Sequence, residues 1–155
     1  MTALYTSPLQ RAQQTAEIIG RVTGLAPCIV PNLAEWDFNR IMSGKDRIEL
    51  RVVTALSHIG PFRALLPHEW ATSPTLRAFV SQVATAIQEL VDRHPSQRII
   101  VVAHGGTIDA LLSHYFPAEE EWERGVIKNC SLTQVLVEGA SAKLLSFNEI
   151  GRAHV

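Results

Sequence analysis

The sequence has few cysteines, no long apolar run and no block of like charge, and each absence excludes a class of protein. Two cysteines, Cys28 and Cys130, are too few for a disulfide framework or, by themselves, for a four-ligand zinc site. The longest unbroken apolar stretch, 99–103, is far shorter than the ~20 residues that span a bilayer. Lys and Arg number 14 and Asp and Glu number 15, without clustering, so neither a nucleic acid nor a membrane is a predicted partner.

Several further patterns are absent. The first residues lack the basic segment and apolar run of a secretory signal, so we expect a cytoplasmic protein. The nucleotide-binding patterns GxGxxG and GxxxxGK[ST] do not occur, which disfavours an unrelated nucleotide-binding α/β domain. We find no internal repeat or long linker, and 155 residues is a usual length for one domain. The sequence therefore predicts a single domain over residues 1–155.

Segments typical of strands alternate with segments typical of helices. The β-branched run at 98–103 is typical of a parallel strand that is covered on both faces. Ser7, Pro8 and Gln10 resemble a helix start, with Ser7 as the N-cap. The other predicted elements are strands at 3–6, 28–30, 132–137 and 143–147 and helices at 48–59, from a Ser73 cap to residue 93, and after Gly106. This alternation predicts an α/β domain of three layers.

The strand, turn and helix around His104 form the best candidate for a functional site. Gly105 and Gly106 follow this histidine, and glycines let the backbone approach a ligand closely. The helix predicted after them directs free N–H groups and its positive dipole end toward the turn, which suits an anion. Ligands of open α/β sheets bind beyond the carboxyl ends of strands, where His104 is expected. The alternative is a structural turn with a hydrogen-bonded histidine.

Two other residues have the right chemistry for such a site. Arg11 lies four residues after Ser7, on the same side of the helix start, and its planar guanidinium can bind phosphate oxygens. Glu35 lies in a loop beside Trp36 and Phe38, and apolar neighbours disfavour the charged form of a carboxyl group, as a general acid requires. The alternatives are a solvent-exposed arginine and a surface acid. No metal or cofactor is predicted, because the remaining histidines show no metal-binding spacing. These histidines are His58, His68, His94, His114 and His154.

Taken in order, five segments resemble the histidine phosphatase superfamily, whose fold is that of the phosphoglycerate mutases. SPLQRAQQTA at 7–16 resembles the family's second signature segment, and NLAEWDF at 32–38 resembles the loop with its proton donor. VVAHGGTIDALL at 101–112 resembles the strand, turn and helix that carry its second active-site histidine. KNCSLTQVLVE at 128–138 and LLSFNEIGRAHV at 144–155 resemble its last two strands and tail.

The resemblance implies a phosphatase or phosphomutase that acts on small phosphomonoesters, such as sugar or glycerate phosphates, through a phosphohistidine. It implies that Glu35 protonates the leaving oxygen and that His104 stabilises charge on the phosphoryl oxygens. The residues that it implies around the phosphate are Arg11, His104, Gly105, Ser7 and Asn129, the last two at the rim of the site or behind it. The expected partner is a small phosphorylated substrate or inorganic phosphate, and no metal is needed if Arg and His supply positive charge.

The family's nucleophile, the histidine of an Arg-His-Gly motif, has no counterpart in these residues. Arg93-His94 is followed by Pro95, and only six residues precede Ser7, so we expect a form shortened at its N-terminus. We expect little or no turnover through phosphohistidine. Attack by His104 in its place remains an alternative. A non-catalytic module that binds a phosphate ligand or a partner on the same fold is another.

In the family the Arg-His-Gly motif follows a central strand, so the resemblance implies that this strand is also missing here. Five buried aliphatic side chains at about 2 kcal/mol each contribute ~10 kcal/mol, and a domain is stable by only ~5–15 kcal/mol. We therefore expect a marginally stable chain, or one that closes its sheet, swaps a strand or forms a homodimer, because open strand edges otherwise favour aggregation.

Overall fold

The chain alternates strands and helices in the order that the sequence predicts. A computed structural model describes residues 1–35, 74–116, 127–139 and 141–151. The strands are β1 (Ala3–Thr6), β2 (Pro27–Ile29), β3 (Ile99–Val102), β4 (Ser131–Glu138) and β5 (Ser141–Ile150). The helices are α1 (Gln10–Thr23), a short 3-10 helix (Pro31–Leu33), α2 (Pro74–Arg93) and α3 (Gly105–Tyr115). The helix predicted at 48–59, Trp36, Phe38 and the Ser73 cap lie outside the described residues.

A parallel sheet of three strands has β1 at its centre, with β2 on one side and β3 on the other. Thr6 is in register with Ile29 of β2 and with Val102 of β3, so the three strands end at the same level. Because they are parallel, their carboxyl ends share one edge of the sheet, and the residues that follow each strand meet there.

Helices cover both faces of this sheet. Leu4 and Tyr5 are consecutive in β1, so their side chains point to opposite faces. The face of Leu4 is covered by α1, where a Cβ built on the buried Gly20 would lie 3.6 Å from Cδ2 of Leu4. Tyr5 belongs to a core cluster with residues of α2 and α3, among them Val83, Leu90 and Ala110. The mixed α/β architecture with a parallel sheet is thus confirmed.

In the described part of the chain, β4 and β5 form a second, antiparallel sheet that is not hydrogen-bonded to the first. They turn at Glu138 and Gly139, as predicted, and Gly139 has a left-handed φ of 62°. Both strands are longer than the sequence predicted. Within the described residues, β3 pairs with β1 alone and is an edge strand, and its four residues are half-buried rather than enclosed on both faces.

The predicted start of α1 is wrong by two residues. The helix begins at Gln10, its N-cap is Leu9, and no side chain caps it. The Oγ of Ser7 does accept a backbone N–H, that of Leu9 at 3.2 Å, but it does so ahead of the helix. The other end agrees with the sequence, since Gly24 closes the helix with a left-handed φ of 73°. No helix among the described residues is long and apolar enough to cross a membrane.

Candidate functional site

The predicted site residues follow the carboxyl ends of the three parallel strands. Two backbone hydrogen bonds continue the strand pairing past the sheet. The N–H of Ser7 donates to the carbonyl oxygen of Val102 at 2.9 Å, and the N–H of Val30 donates to that of Thr6 at 2.8 Å. The segment after β1 is therefore held between the segments after β3 and β2, and these lead to His104 and Glu35 respectively.

Ser7 and His104 form a direct side-chain contact. Oγ of Ser7 lies 2.7 Å from Nε2 of His104. Ser7 is fully buried and His104 is 8% exposed, so water competes little for this hydrogen bond. The same Oγ accepts the N–H of Leu9 at 3.2 Å. The imidazole is thus fixed at one ring nitrogen by a hydroxyl group that the backbone itself holds in place.

Arg11 lies in the first turn of α1 and acts on the same imidazole. Burial lowers the pKa of His104 below its usual value of 6.5, and the positive charge of Arg11 lowers this pKa further. Arg11 itself is an exposed residue. The site therefore combines an accessible cation with a buried, neutral imidazole that an approaching anion would favour in its protonated form.

His104 also begins α3. Its backbone is extended, with φ −126° and ψ 166°, and it is the N-cap of the helix. The N–H of Ile108 donates to its carbonyl oxygen at 2.9 Å. The N–H groups of the first residues of α3, from Gly105 onward, precede that hydrogen bond and have no partner in the preceding turn. Together with Arg11, this helix end makes the corner electropositive.

Glu35 reaches this corner from the end of the 3-10 helix. The N–H of Gly106 donates to Oε2 of Glu35 at 3.4 Å. The buried Thr107 places its hydroxyl 3.5 Å from the carbonyl oxygens of Leu33 and Ala34. The first turn of α3 thus contacts three consecutive residues that end in the proposed proton donor.

The structure brings together most of the residues that the sequence singled out. Ser7 contacts His104, the charge of Arg11 lowers the pKa of the same imidazole, and Glu35 lies against the helix that His104 begins. Asn129 is exposed in the segment before β4, and none of the described contacts joins it to the other four. The described residues contain no group of three or more His, Cys, Asp or Glu side chains arranged to hold a metal ion.

Sequence reasoning missed Thr107, and it gave Gly105 and Gly106 the same task. Thr107 is 2% exposed, and its hydroxyl contacts carbonyl groups more than 70 positions away in the sequence. A threonine in the first turn of a helix is an ordinary residue there, so no local signal points to that contact. The difference between the glycines depends on Glu35, whose position is a tertiary property.

The chain is similar to known proteins over almost its whole length. The sequence profile of the histidine phosphatase superfamily, branch 1, matches residues 1–150. A protein of Hydrogenobacter thermophilus, designated a candidate phosphoserine phosphatase 2, is 24% identical over 95% of this chain. The chain spans 72% of that relative's length and 62% of the length of a second curated phosphatase.

Solved structures show the same fold. YhfR of Bacillus stearothermophilus superposes with a TM-score of 0.72 at 22% identity, over 97% of this chain and 75% of its own. A mycobacterial glucosyl-3-phosphoglycerate phosphatase in complex with inorganic phosphate superposes with a TM-score of 0.65 at 20% identity. The superposition covers 96% of this chain and 77% of the phosphatase. The match of the family profile to nearly the whole sequence shows that the chain belongs to the histidine phosphatase superfamily.

Proposed function

We propose that this chain binds the phosphate group of a small phosphomonoester at the carboxyl end of its parallel sheet. The observation that carries the proposal is the pairing of a solvent-accessible Arg11 with the buried imidazole of His104. Arg11 acts on His104 electrostatically, and Ser7 holds the ring in place. An anion that enters between the two meets a fixed positive charge and a ring that gains a proton more readily in its presence.

We assign each of these residues a separate role in phosphoryl transfer. Negative charge builds up on the equatorial oxygens during the transfer, and we assign to Arg11 and His104 the role of balancing it. Gly105 leaves open space at the helix N-terminus, since a Cβ built there meets nothing within 4 Å. When the bond from phosphorus to the leaving oxygen breaks, that oxygen needs a proton, and Glu35 in its acid form supplies it.

The family's attacking group is the histidine of an Arg-His-Gly motif. No Arg-His-Gly occurs among these 155 residues. We therefore propose that the chain by itself binds phosphate and hydrolyses phosphomonoesters weakly or not at all. A relative that is designated a phosphoserine phosphatase and a neighbour that acts on glucosyl-3-phosphoglycerate support a phosphatase over a phosphomutase. Both names point to small, acidic phosphomonoesters as the ligands to test.

Isothermal titration with inorganic phosphate tests the binding step. We expect binding by the unaltered chain, strong loss in Arg11→Ala and His104→Ala, and no loss in Arg21→Ala, which removes an exposed arginine from the far end of α1. Equal affinity in all four proteins would contradict the site. A screen of phosphomonoesters, with phosphoserine and 3-phosphoglycerate among them, then tests turnover.

A second function, non-catalytic binding of a phosphate ligand, is favoured by the same absence of Arg-His-Gly. Incubation with a labelled phosphodonor, followed by mapping of any phosphohistidine, separates the two. Label on His104 would show that this residue attacks in place of the missing nucleophile. Phosphate binding without label and without turnover would establish the binding module.

A further inference from the structure

Gly105 and Gly106 open α3 side by side, yet their surroundings differ. A Cβ built at Gly105 meets no atom within 4 Å, whereas a Cβ built at Gly106 would overlap Oε1 of Glu35. Among the described glycines, only Gly24 and Gly139 have a positive φ, so the backbone would accept alanine at both positions. The need for glycine at position 106 is therefore a need for space.

The carboxylate of Glu35 occupies that space and is also bound there. The N–H of Gly106 donates to Oε2 of Glu35 at 3.4 Å, which is a long hydrogen bond. The hydroxyl of the buried Thr107 lies 3.5 Å from the carbonyl oxygens of Leu33 and Ala34. Thr107 thus holds the backbone just before Glu35, and Gly106 receives the side chain.

We propose that Gly106 is the positioning residue for Glu35, admitting its carboxyl group to the start of α3 by having no side chain. The contact itself does not depend on phosphate. Its consequence for the phosphate site rests on the proposed function. The two glycines of the HGG sequence then have separate tasks, since Gly105 leaves room for a ligand and Gly106 leaves room for Glu35.

An alanine at position 106 pushes the carboxyl group away without disturbing the core. The atom that the new methyl group meets is the end of a flexible side chain, which can rotate aside. Alanine also has a better helix propensity than glycine. Gly105→Ala is the matched control, because it makes the same chemical change one residue earlier, where the built Cβ contacts nothing.

NMR gives a direct readout that needs neither substrate nor turnover. Because the N–H of residue 106 donates to the carboxylate, we expect its amide proton shift to follow the ionisation of Glu35 in the unaltered chain and in Gly105→Ala. Glu35→Gln should abolish this titration, and Gly106→Ala should abolish it or reduce it strongly. An amide at residue 106 that does not titrate in the unaltered chain, or that titrates fully in Gly106→Ala, would overturn the proposal.

A double-mutant cycle with inorganic phosphate connects the contact to the site. Glu35→Gln removes negative charge from the phosphate's surroundings and should tighten binding, and Gly106→Ala should tighten it by at least about twofold. In the Glu35→Gln background, Gly106→Ala should have no further effect. Equal weakening by Gly106→Ala in both backgrounds would show instead that the space at 106 serves the ligand. If no variant binds phosphate while the amide titration is as expected, the proposed function fails and the positioning role of Gly106 stands.

Discussion

Oγ of Ser7 lies 2.7 Å from Nε2 of His104, although the two residues are 97 positions apart in the sequence. The pairing of β1 with β3 produces this contact, because Thr6 and Val102 are in register and each strand ends just before the site. Two βα corners thereby share one buried hydrogen bond. This hydrogen bond and the residues around it determine several properties that experiments can measure.

Ser7→Ala should destabilise the chain by about 1–3 kcal/mol, because it leaves Nε2 of the buried His104 and the half-buried N–H of Leu9 without their partner. Urea denaturation measures the change. Ser81→Ala, on the exposed face of α2, is the control and should change stability by less than ~0.5 kcal/mol. Equal effects of the two substitutions would show that the Ser7 contact contributes little.

Arg11→Ala should raise the pKa of His104 toward its usual value, because the neighbouring positive charge is gone, while burial still holds this pKa below 6.5. NMR titration of the imidazole protons measures the shift. Phosphate affinity should fall by about ten- to a hundredfold, the effect of a lost hydrogen bond to a charged group. Arg21→Ala should leave both quantities unchanged, and a comparable effect there would mean that only net charge matters.

The free energy of unfolding should fall as the pH is lowered through and below about 6.5. The pKa of His104 is lowered in the folded chain, so in that interval the unfolded chain binds more protons, and stability rises with pH. The slope from this group ends once the pH is below the folded pKa. His104→Asn should remove this part of the slope in urea denaturation at a series of pH values. An unchanged slope would show that His104 titrates normally in the folded chain.

Leu33→Ala should cost about 2–5 kcal/mol, because Leu33 is fully buried against α2 and α3 in the core cluster. The substitution should also leave Glu35, two residues later, less firmly positioned against α3. Val22→Ala, at an 83% exposed position of α1, should change stability by less than ~0.5 kcal/mol. Thermal and urea denaturation of both variants provide the measurement.

In the part of the chain that the structure describes, β3 has one unpaired edge, and we expect this edge to affect association or stability in solution. Among the described residues this strand of four aliphatic side chains pairs on one side only, and such edges favour pairing with another chain. We expect light scattering after size exclusion to detect a dimer or larger species, or thermal denaturation to show a marginally stable chain. A monomer that unfolds cooperatively above ~65 °C would contradict this expectation.

Local patterns were enough for most of the secondary structure. Gly24 ends α1 because glycine accepts a left-handed φ, and the β-branched residues 99–102 form β3 because they favour an extended backbone. The start of α1 was harder to predict. Ser7 has the residue type of an N-cap, but tertiary packing placed it against His104, and the helix begins at Gln10 instead.

Residue type and short spacing were sufficient to predict most helices and strands, the chemistry of Arg11, Glu35 and His104, and the family that their order suggests. They were not sufficient to predict which of these groups come into contact. Strand register brings Ser7 to His104. The 3-10 helix approaches α3 so that Glu35 lies against Gly106 and not against Gly105, although the two neighbouring residues are both glycine. Such contacts depend on how distant segments pack, and no local propensity encodes that packing.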